Sequence, residues 1–358
     1  GDGASINANT GSVAFDRTVY PVPYGADASD TRFAEHATAN YARALAQGDA
    51  TVHVRVTDAD YNVSAQGEDT ISDTTVVIKI ERGSNSTTVA TVGNAANPIT
   101  EVSPDSGVFE YDQAITYTDG PTNSCPSVFN GKSAGNGCVL QGDIITVTYT
   151  DKYDASGKSQ TVTDSATFDL RNGVLQSDKS VYLIGSDMIL TLIEPDFDLD
   201  NDGAQSVTLD LIEWDSDAAT VSVGNFNSTF DPEPSELRET GDSTGIFQVV
   251  LEIPASLNGE NLDRGEMIEL EYTDWGPAGA DYVGQEDEDI GLTVYTSNFG
   301  ATIELDQKVY TWTDKVYITI VAPDHNMDSG LVDEIGNTVN DPIKVSTRGN
   351  QLDQYKLV

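Results

Sequence analysis

The sequence predicts an all-β protein made of tandem immunoglobulin-like β-sandwich domains. Short apolar runs of strand length, many of them alternating, recur along the chain. Gly, Asp and Asn turns separate them. The same ordered set of blocks occurs twice in full and once in part.

Each copy opens on the pattern Asp-x-x-Val-Tyr: FDRTVY (15–20), SDKSVY (177–182) and LDQKVY (305–310). A strand follows that ends in an acidic turn. In the first copy this is TVHVRVTD (51–58), running into VTDADYNV (56–63). In the second it is MILTLIE (188–194), running into IEPDFDL (193–199). In the third it is KVYITIVAP (315–323), running into VAPDHNM (321–327). The first copy adds TTVVIKIE (74–81). PDSGVFEY (104–111) then matches DSTGIFQV (242–249), whose strand continues as FQVVLEIP (247–254). GDIITVTYTDKYDASG (142–157) matches GEMIELEYTDWGPAG (265–279). Four blocks in one order are not a coincidence of composition.

The repeat sets the predicted boundaries: domain 1 over 1–170, domain 2 over 171–300, and the start of an incomplete domain 3 over 301–358. Domain 1 carries an insertion at about 23–50. Within it TRFAEHATANYARALAQ (31–47) has the Ala content and the Phe33, Ala37, Tyr41, Leu45 spacing of an amphipathic helix. A long Ala-rich loop is the other reading. The immunoglobulin Cys-Trp-Cys pattern is absent, so the topology stays open.

Charge narrows the function. There are 18 Lys and Arg against 59 Asp and Glu, a net charge of −41. Such a chain does not bind nucleic acid, which needs basic patches. It is also poorly suited to an anionic membrane surface. It favours cations as partners. With 38% apolar residues, 15 Tyr, 10 Phe and 3 Trp it can still build real cores. No apolar run is long enough to span a bilayer. The chain starts GDGAS without a signal peptide, as expected of a processed or excised piece.

The two cysteines, Cys125 and Cys138, sit in CPSVFNGKSAGNGC. Soft ligands and basic neighbours are lacking there, so a disulfide is expected, worth roughly 3 kcal/mol and implying an oxidising setting. Two free thiols are the alternative. Three glycosylation triplets, at Asn62, Asn85 and Asn227, agree weakly with export.

The stretch EPDFDLDNDG (194–203) alternates Asp196, Asp198, Asp200 and Asp202. Close carboxylates can become ligands of a hard divalent cation, calcium foremost, which takes six to eight oxygens. Gly203 would allow the sharp turn, but Leu209 stands where an EF-hand has its bidentate Glu. A β-linked cation loop is the functional reading; an acidic turn kept for solubility is the plain one. The equivalent turns offer Asp324, Asn326, Asp328 and Gly330, and Asp58, Asp60, Asn62, Glu68 and Asp69. A further cluster, Glu286, Asp287, Glu288 and Asp289, is a candidate for an acidic pore lining or a solvated loop. His36, His53 and His325 are scattered. No nucleophile elbow, zincin helix, P-loop or dinucleotide fingerprint occurs, so no enzyme is expected.

RNGVLQSDKSVYLIGSDMILTLIEPDFDLDNDG, ETGDSTGIFQVV, LEYTDWGPAGADYVGQEDEDIGL and SNFGATIELDQKVYTWTDKVYITIVAPDH resemble the surface-layer proteins of ammonia-oxidising archaea of the Nitrosopumilus type. The resemblance is specific from Phe168 to Val358 and looser before Pro98. It implies a secreted, N-glycosylated chain of tandem immunoglobulin-like domains. Such chains tile the cell as a planar lattice of identical subunits, held together with divalent cations. Its acidic pores would admit cations such as ammonium and hinder anions. Two other readings remain: an extracellular adhesin or stalk, and the non-catalytic region of a secreted enzyme.

Overall fold

The computed structural model describes residues 8–23, 48–115, 139–327, 330–336, 343–351 and 356–357. The predicted helix over 31–47, both cysteines, His36 and Asp328 lie outside the described residues.

The described residues between 12 and 168 form one sandwich, unit one, in which they supply ten strands: β1 (Ser12–Phe15), β2 (Val19–Tyr20), β3 (Ala50–Thr57), β4 (Thr70–Ile71), β5 (Thr75–Arg82), β6 (Asn85–Val92), β7 (Ile99–Glu101), β8 (Val108–Ile115), β9 (Ile144–Asp151) and β10 (Gln160–Phe168). Residues 174–296 form unit two: β11 (Val174–Ser177), β12 (Val181–Tyr182), β13 (Asp187–Ile193), β14 (Ser206–Val207), β15 (Ile212–Ser216), β16 (Thr220–Ser222), β17 (Glu233–Glu239), β18 (Ile246–Glu252), a short hairpin of β19 (Ser256–Leu257) and β20 (Glu260–Asn261), β21 (Met267–Asp274) and β22 (Glu288–Thr296).

The two units share one topology. Sheet order β1-β3-β8-β7-β4 in unit one matches β11-β13-β18-β17-β14 in unit two. Likewise β2-β10-β9-β5-β6 matches β12-β22-β21-β15-β16. The first strand of each unit is split between sheets. β1 pairs antiparallel with β3, whereas β2 pairs parallel with β10; β11, β13, β12 and β22 repeat this. The tandem immunoglobulin-like sandwiches read from the sequence are therefore the fold.

Alternation sets which face is buried. On β13, Met188, Leu190 and Leu192 point inward while Ile189 stays exposed. On β21, Ile268, Leu270 and Tyr272 do the same. Trp214 and Phe230 fill the centre of unit two, with ring centroids 5.1 Å apart. Tyr20, Tyr149, Phe109 and Phe168 fill unit one. Each such side chain contributes about 2 kcal/mol of burial.

The third copy begins with β23 (Thr302–Leu305) paired to β24 (Ile318–Val321), shorter than the predicted 315–323. Two more two-stranded ribbons follow, Ile335–Gly336 with Lys356–Leu357 and Ser346–Thr347 with Asn350–Gln351. Ile303 and Leu305 are exposed, whereas Leu175 of β11 is buried.

Candidate functional site

The repeated blocks meet through carboxylates. In Asp-x-x-Val-Tyr the chain must leave one sheet and join the other, which strands backbone N–H groups at the crossing. Asp and Tyr resolve this together. The Tyr182 hydroxyl donates to Asp178 Oδ1 at 2.5 Å and accepts from the Lys179 N–H at 2.8 Å, while Ile189 N–H donates to the same carboxylate oxygen at 2.9 Å. Tyr310 and Asp306 repeat the arrangement with Gln307 and Tyr317. Tyr20 donates to Asp16, which also takes the His53 N–H at 3.2 Å.

The acidic turns follow a second rule, repeated three times. The acid two places after Asp58, Glu194 or Ala322 grips the segment that enters the unit. Asp60 accepts from the Asn9 N–H at 2.9 Å, Asp196 Oδ2 from the Arg171 N–H at 2.8 Å, and Asp324 Oδ1 from the Ser297 hydroxyl at 2.7 Å. Arg264 adds an ion pair to Asp324 at 3.0 Å. The first acid of the turn meets the Tyr-Thr-Asp block instead. Tyr149 donates to Asp58 at 2.5 Å and Tyr272 to Glu194 at 2.8 Å. The Asp of that block takes a glycine amide, Gly11 to Asp151 at 2.9 Å and Gly173 to Asp274 at 2.8 Å. Glycine is required there: a Cβ on Gly173 would stand 2.7 Å from both Glu194 Oε2 and Tyr272 Cε1.

The stretch 194–203 is thus not a free loop. Phe197 packs edge-on against Phe247 and Tyr272, each at 6.1 Å between centroids. Beyond it the chain lies against unit one. Arg17 Nη1 donates to the Asp198 carbonyl at 2.9 Å and Nη2 to Asp198 Oδ1 at 3.3 Å. Thr51 N–H donates to the Leu199 carbonyl at 2.8 Å, and Asn201 Nδ2 to Asp16. His53 carries Asp200 Oδ1 on Nε2 at 2.9 Å and Asp112 Oδ1 on Nδ1 at 2.8 Å. A second tie runs from the Gln141 N–H to the Asp281 carbonyl at 2.9 Å. A cavity of about 20 Å³ lies at this joint, lined by Val22, Glu194, Asp196, Tyr272, Asp274 and Trp275 among others. It has room for about one water.

Burial shapes the titration of these acids. Burial pushes Asp196 up to about 7, against the Arg171 N–H and guanidinium that favour its charge. Burial likewise raises Asp198 to about 6 against the pull of Arg17. Glu194 is raised well above the usual carboxylate range, by burial and then by the charges of Asp196 and Asp274. Asp274 is raised by burial against its two glycine N–H bonds. Burial alone would lower His53, but its bonds to Asp200 and Asp112 reverse this and raise it.

The four alternating aspartates do not converge on one point. Among the described residues, the group of three or more His, Cys, Asp or Glu ligand atoms lying within 4.8 Å of one another is His53, Asp112 and Asp202. Asp196 and Asp198 face inward, to Arg171 and Arg17. Residues 201–203 do turn, but Gly203 has no positive φ and open space around it, so the turn does not need glycine there. Asp58 is buried beneath Tyr149, Asp60 binds Asn9, and Asn326 is exposed. Glu286, Asp287, Glu288 and Asp289 are exposed, the last two opening β22. Asn85 and Asn227 are exposed, whereas Asn62 is half-buried with its Nδ2 donating to Asp105 Oδ1 at 3.3 Å.

His53 read as one of three scattered histidines, yet it is the centre of the joint. Its partners stand 59 and 147 positions away, so no local spacing marks it.

No family model and no curated protein matches the sequence. Solved structures that align with this chain include FdeC, an Escherichia coli adhesin, at 13% identity and a TM-score of 0.24 over 88% of this chain and 74% of that one. The Yersinia pseudotuberculosis adhesin InvE aligns at 12% identity and a TM-score of 0.20, over 80% of this chain and 60% of that one. At such scores neither neighbour bears on what this chain binds.

Proposed function

We propose that the chain is a structural segment of a surface-layer protein, a planar extracellular lattice whose acidic openings concentrate cations, ammonium among them, and hinder anions. One observation carries this reading: the joint between successive sandwiches is built from specific bonds, Arg17 to Asp198, His53 to Asp200, Asn201 to Asp16 and Thr51 to Leu199. Sandwiches joined by a plain linker move freely by default. Units fixed in one pose can repeat with a constant period, which a lattice needs. The net charge of −41 supports the rest. A passage lined by one sign of charge enriches counter-ions and repels co-ions over a Debye length of about 8 Å at physiological salt. No rigid cage is part of the reading, so ammonium would be enriched with little discrimination from sodium. Divalent cations, calcium foremost, would screen neighbouring copies as they associate. The role is mechanical and electrostatic, without catalysis.

Electron microscopy of the purified chain on a supported surface, with calcium added in steps, tests this. Ordered planar arrays with a sharp two-dimensional diffraction pattern are expected. Rigid single rods that never associate laterally would overturn the lattice and transfer the reading to an adhesin or stalk.

A further inference from the structure

We propose that His53, Asp112 and Asp202 form a site for one divalent transition metal of the zinc class, placed across the joint between the two sandwiches. The site is independent of the lattice reading.

The placement comes from both units. His53 on β3 and Asp112 on β8 are directly opposite in the antiparallel ladder. Asp202 reaches them from the turn of unit two, its Oδ2 3.7 Å from His53 Nδ1. Glu110 Oε1 stands 3.8 Å from the same nitrogen. The fold itself does not call for these groups. At the matching positions of unit two, Ile189 faces Val250 across β13 and β18. Identical topology is reached there with two apolar side chains. The polar trio is peculiar to the place where the units touch.

Hydrogen-bond chemistry then decides what the trio can hold. Asp200 Oδ1 lies 2.9 Å from Nε2 and Asp112 Oδ1 2.8 Å from Nδ1, and a carboxylate only accepts, so without metal each ring nitrogen holds a proton toward its acid. A carboxylate on one imidazole nitrogen that orients the other toward a cation is the usual outer arrangement of a metal-bound histidine. Nδ1 faces Asp112 Oδ1 at 2.8 Å across a proton that a metal ion can displace. Loss of that proton would leave a lone pair against a carboxylate, and a metal entering between them relieves the repulsion. Ligand atoms around four-coordinate zinc stand about 3.3 Å apart, from bonds of about 2.0–2.1 Å. The observed 2.8 and 3.7 Å bracket that value, and the adjustment is small. His53 is 2% exposed and fixed, while Asp112 and Asp202 are 58% and 59% exposed and can rotate. The same exposure gives the ion its way in.

Charge and softness choose the metal. One neutral imidazole and two carboxylates balance a divalent ion. Imidazole nitrogen suits zinc and its neighbours, whereas calcium and magnesium prefer oxygen alone. Glu110 or water completes the coordination. Arg55 holds the other oxygen of Glu110 and lies near enough to Asp202 for the two charges to attract, while Arg17 is engaged by Asp198.

The test uses the whole chain, metal-free and without any histidine tag. Zinc is titrated by calorimetry in a large excess of calcium and magnesium, which suppresses diffuse binding to the acidic surface. One saturable site per chain is expected. His53→Gln and Asp202→Asn should abolish it. Asp200→Asn, which alters the carboxylate that orients the ring and takes the Asp202 N–H, should weaken it about 10–100-fold. Cobalt in place of zinc should give visible absorption bands that His53→Gln removes. Matching unfolding midpoints for the metal-free variants and the parent show that folding is not the cause. If the midpoint of His53→Gln falls, the Asp202→Asn variant, on an exposed turn, decides alone. No saturable zinc heat in excess calcium, or binding unchanged by His53→Gln, overturns the site.

Discussion

Acidification from pH 7.5 to 5.0 should strengthen unit two, against the habit of acid denaturation. Asp196 titrates at about 7 and Asp198 at about 6 in the folded chain, both raised first by burial. In the unfolded chain both return to the ordinary value of 3.8. Between these values the folded state binds more protons than the unfolded one, so stability falls as pH rises and grows as pH drops. Integrating from pH 7.5 to 5.0, the two together add about 4 kcal/mol, the larger share from Asp196. Glu194 and Asp274 are raised as well and act in the same direction. Acids with lowered values, such as Asp73 and Asp200, have the opposite sign. They stabilise above their unfolded value and lose that as pH falls through the lower folded one, outside this window. The assay is urea unfolding followed by tryptophan fluorescence. Trp214 and Trp275 are buried in unit two, while Trp312 is fully exposed and changes little. Relief of general repulsion in a chain of charge −41 also favours acid, so a variant must separate the two causes. Asp196→Asn/Asp198→Asn keeps the shape and the carbonyl acceptors but cannot titrate, and it should lose about 4 kcal/mol of the gain. A parent no more stable at pH 5.0 than at 7.5, or a double variant that gains as much, would refute the reasoning.

Two further outcomes follow from the repeated contacts. Gly173→Ala drives a methyl into Tyr272 and Glu194 and should cost about 1–3 kcal/mol, whereas Gly203→Ala, in open space, should leave the midpoint within about 0.5 kcal/mol; the pair is read by thermal unfolding. Tyr182→Phe removes the hydroxyl shared by Asp178 and the Lys179 N–H and should destabilise unit two by about 1–3 kcal/mol in the same urea assay.

Much of this architecture could be read directly from the residues. Strands such as Met267–Asp274 fell where alternation placed them, because side chains on a pleated strand point to opposite faces in turn. The repeated Asp-x-x-Val-Tyr and Tyr-Thr-Asp blocks were visible as letters, and their constancy foretold a shared role. That role was not visible. The turns looked like ligand loops because alternating aspartates resemble one in composition. In the folded chain Asp60, Asp196 and Asp324 satisfy donors of the incoming segment. A carboxylate accepts equally well from an amide or a cation, and sequence alone does not say which donor arrives.

The sequence by itself determined the β class, the tandem repeat, the strand faces and the strongly acidic field, since each depends on local periodicity or on counts. Only the tertiary structure decided the joint. It buried His53, at a strand position that is outward-facing in the repeat, because the turn of unit two folds over it. It also paired Arg17 with Asp198, 181 positions away. Contacts of that kind are made between surfaces of two finished sandwiches. Neither surface exists until both cores have formed, so no stretch of sequence can carry their pattern.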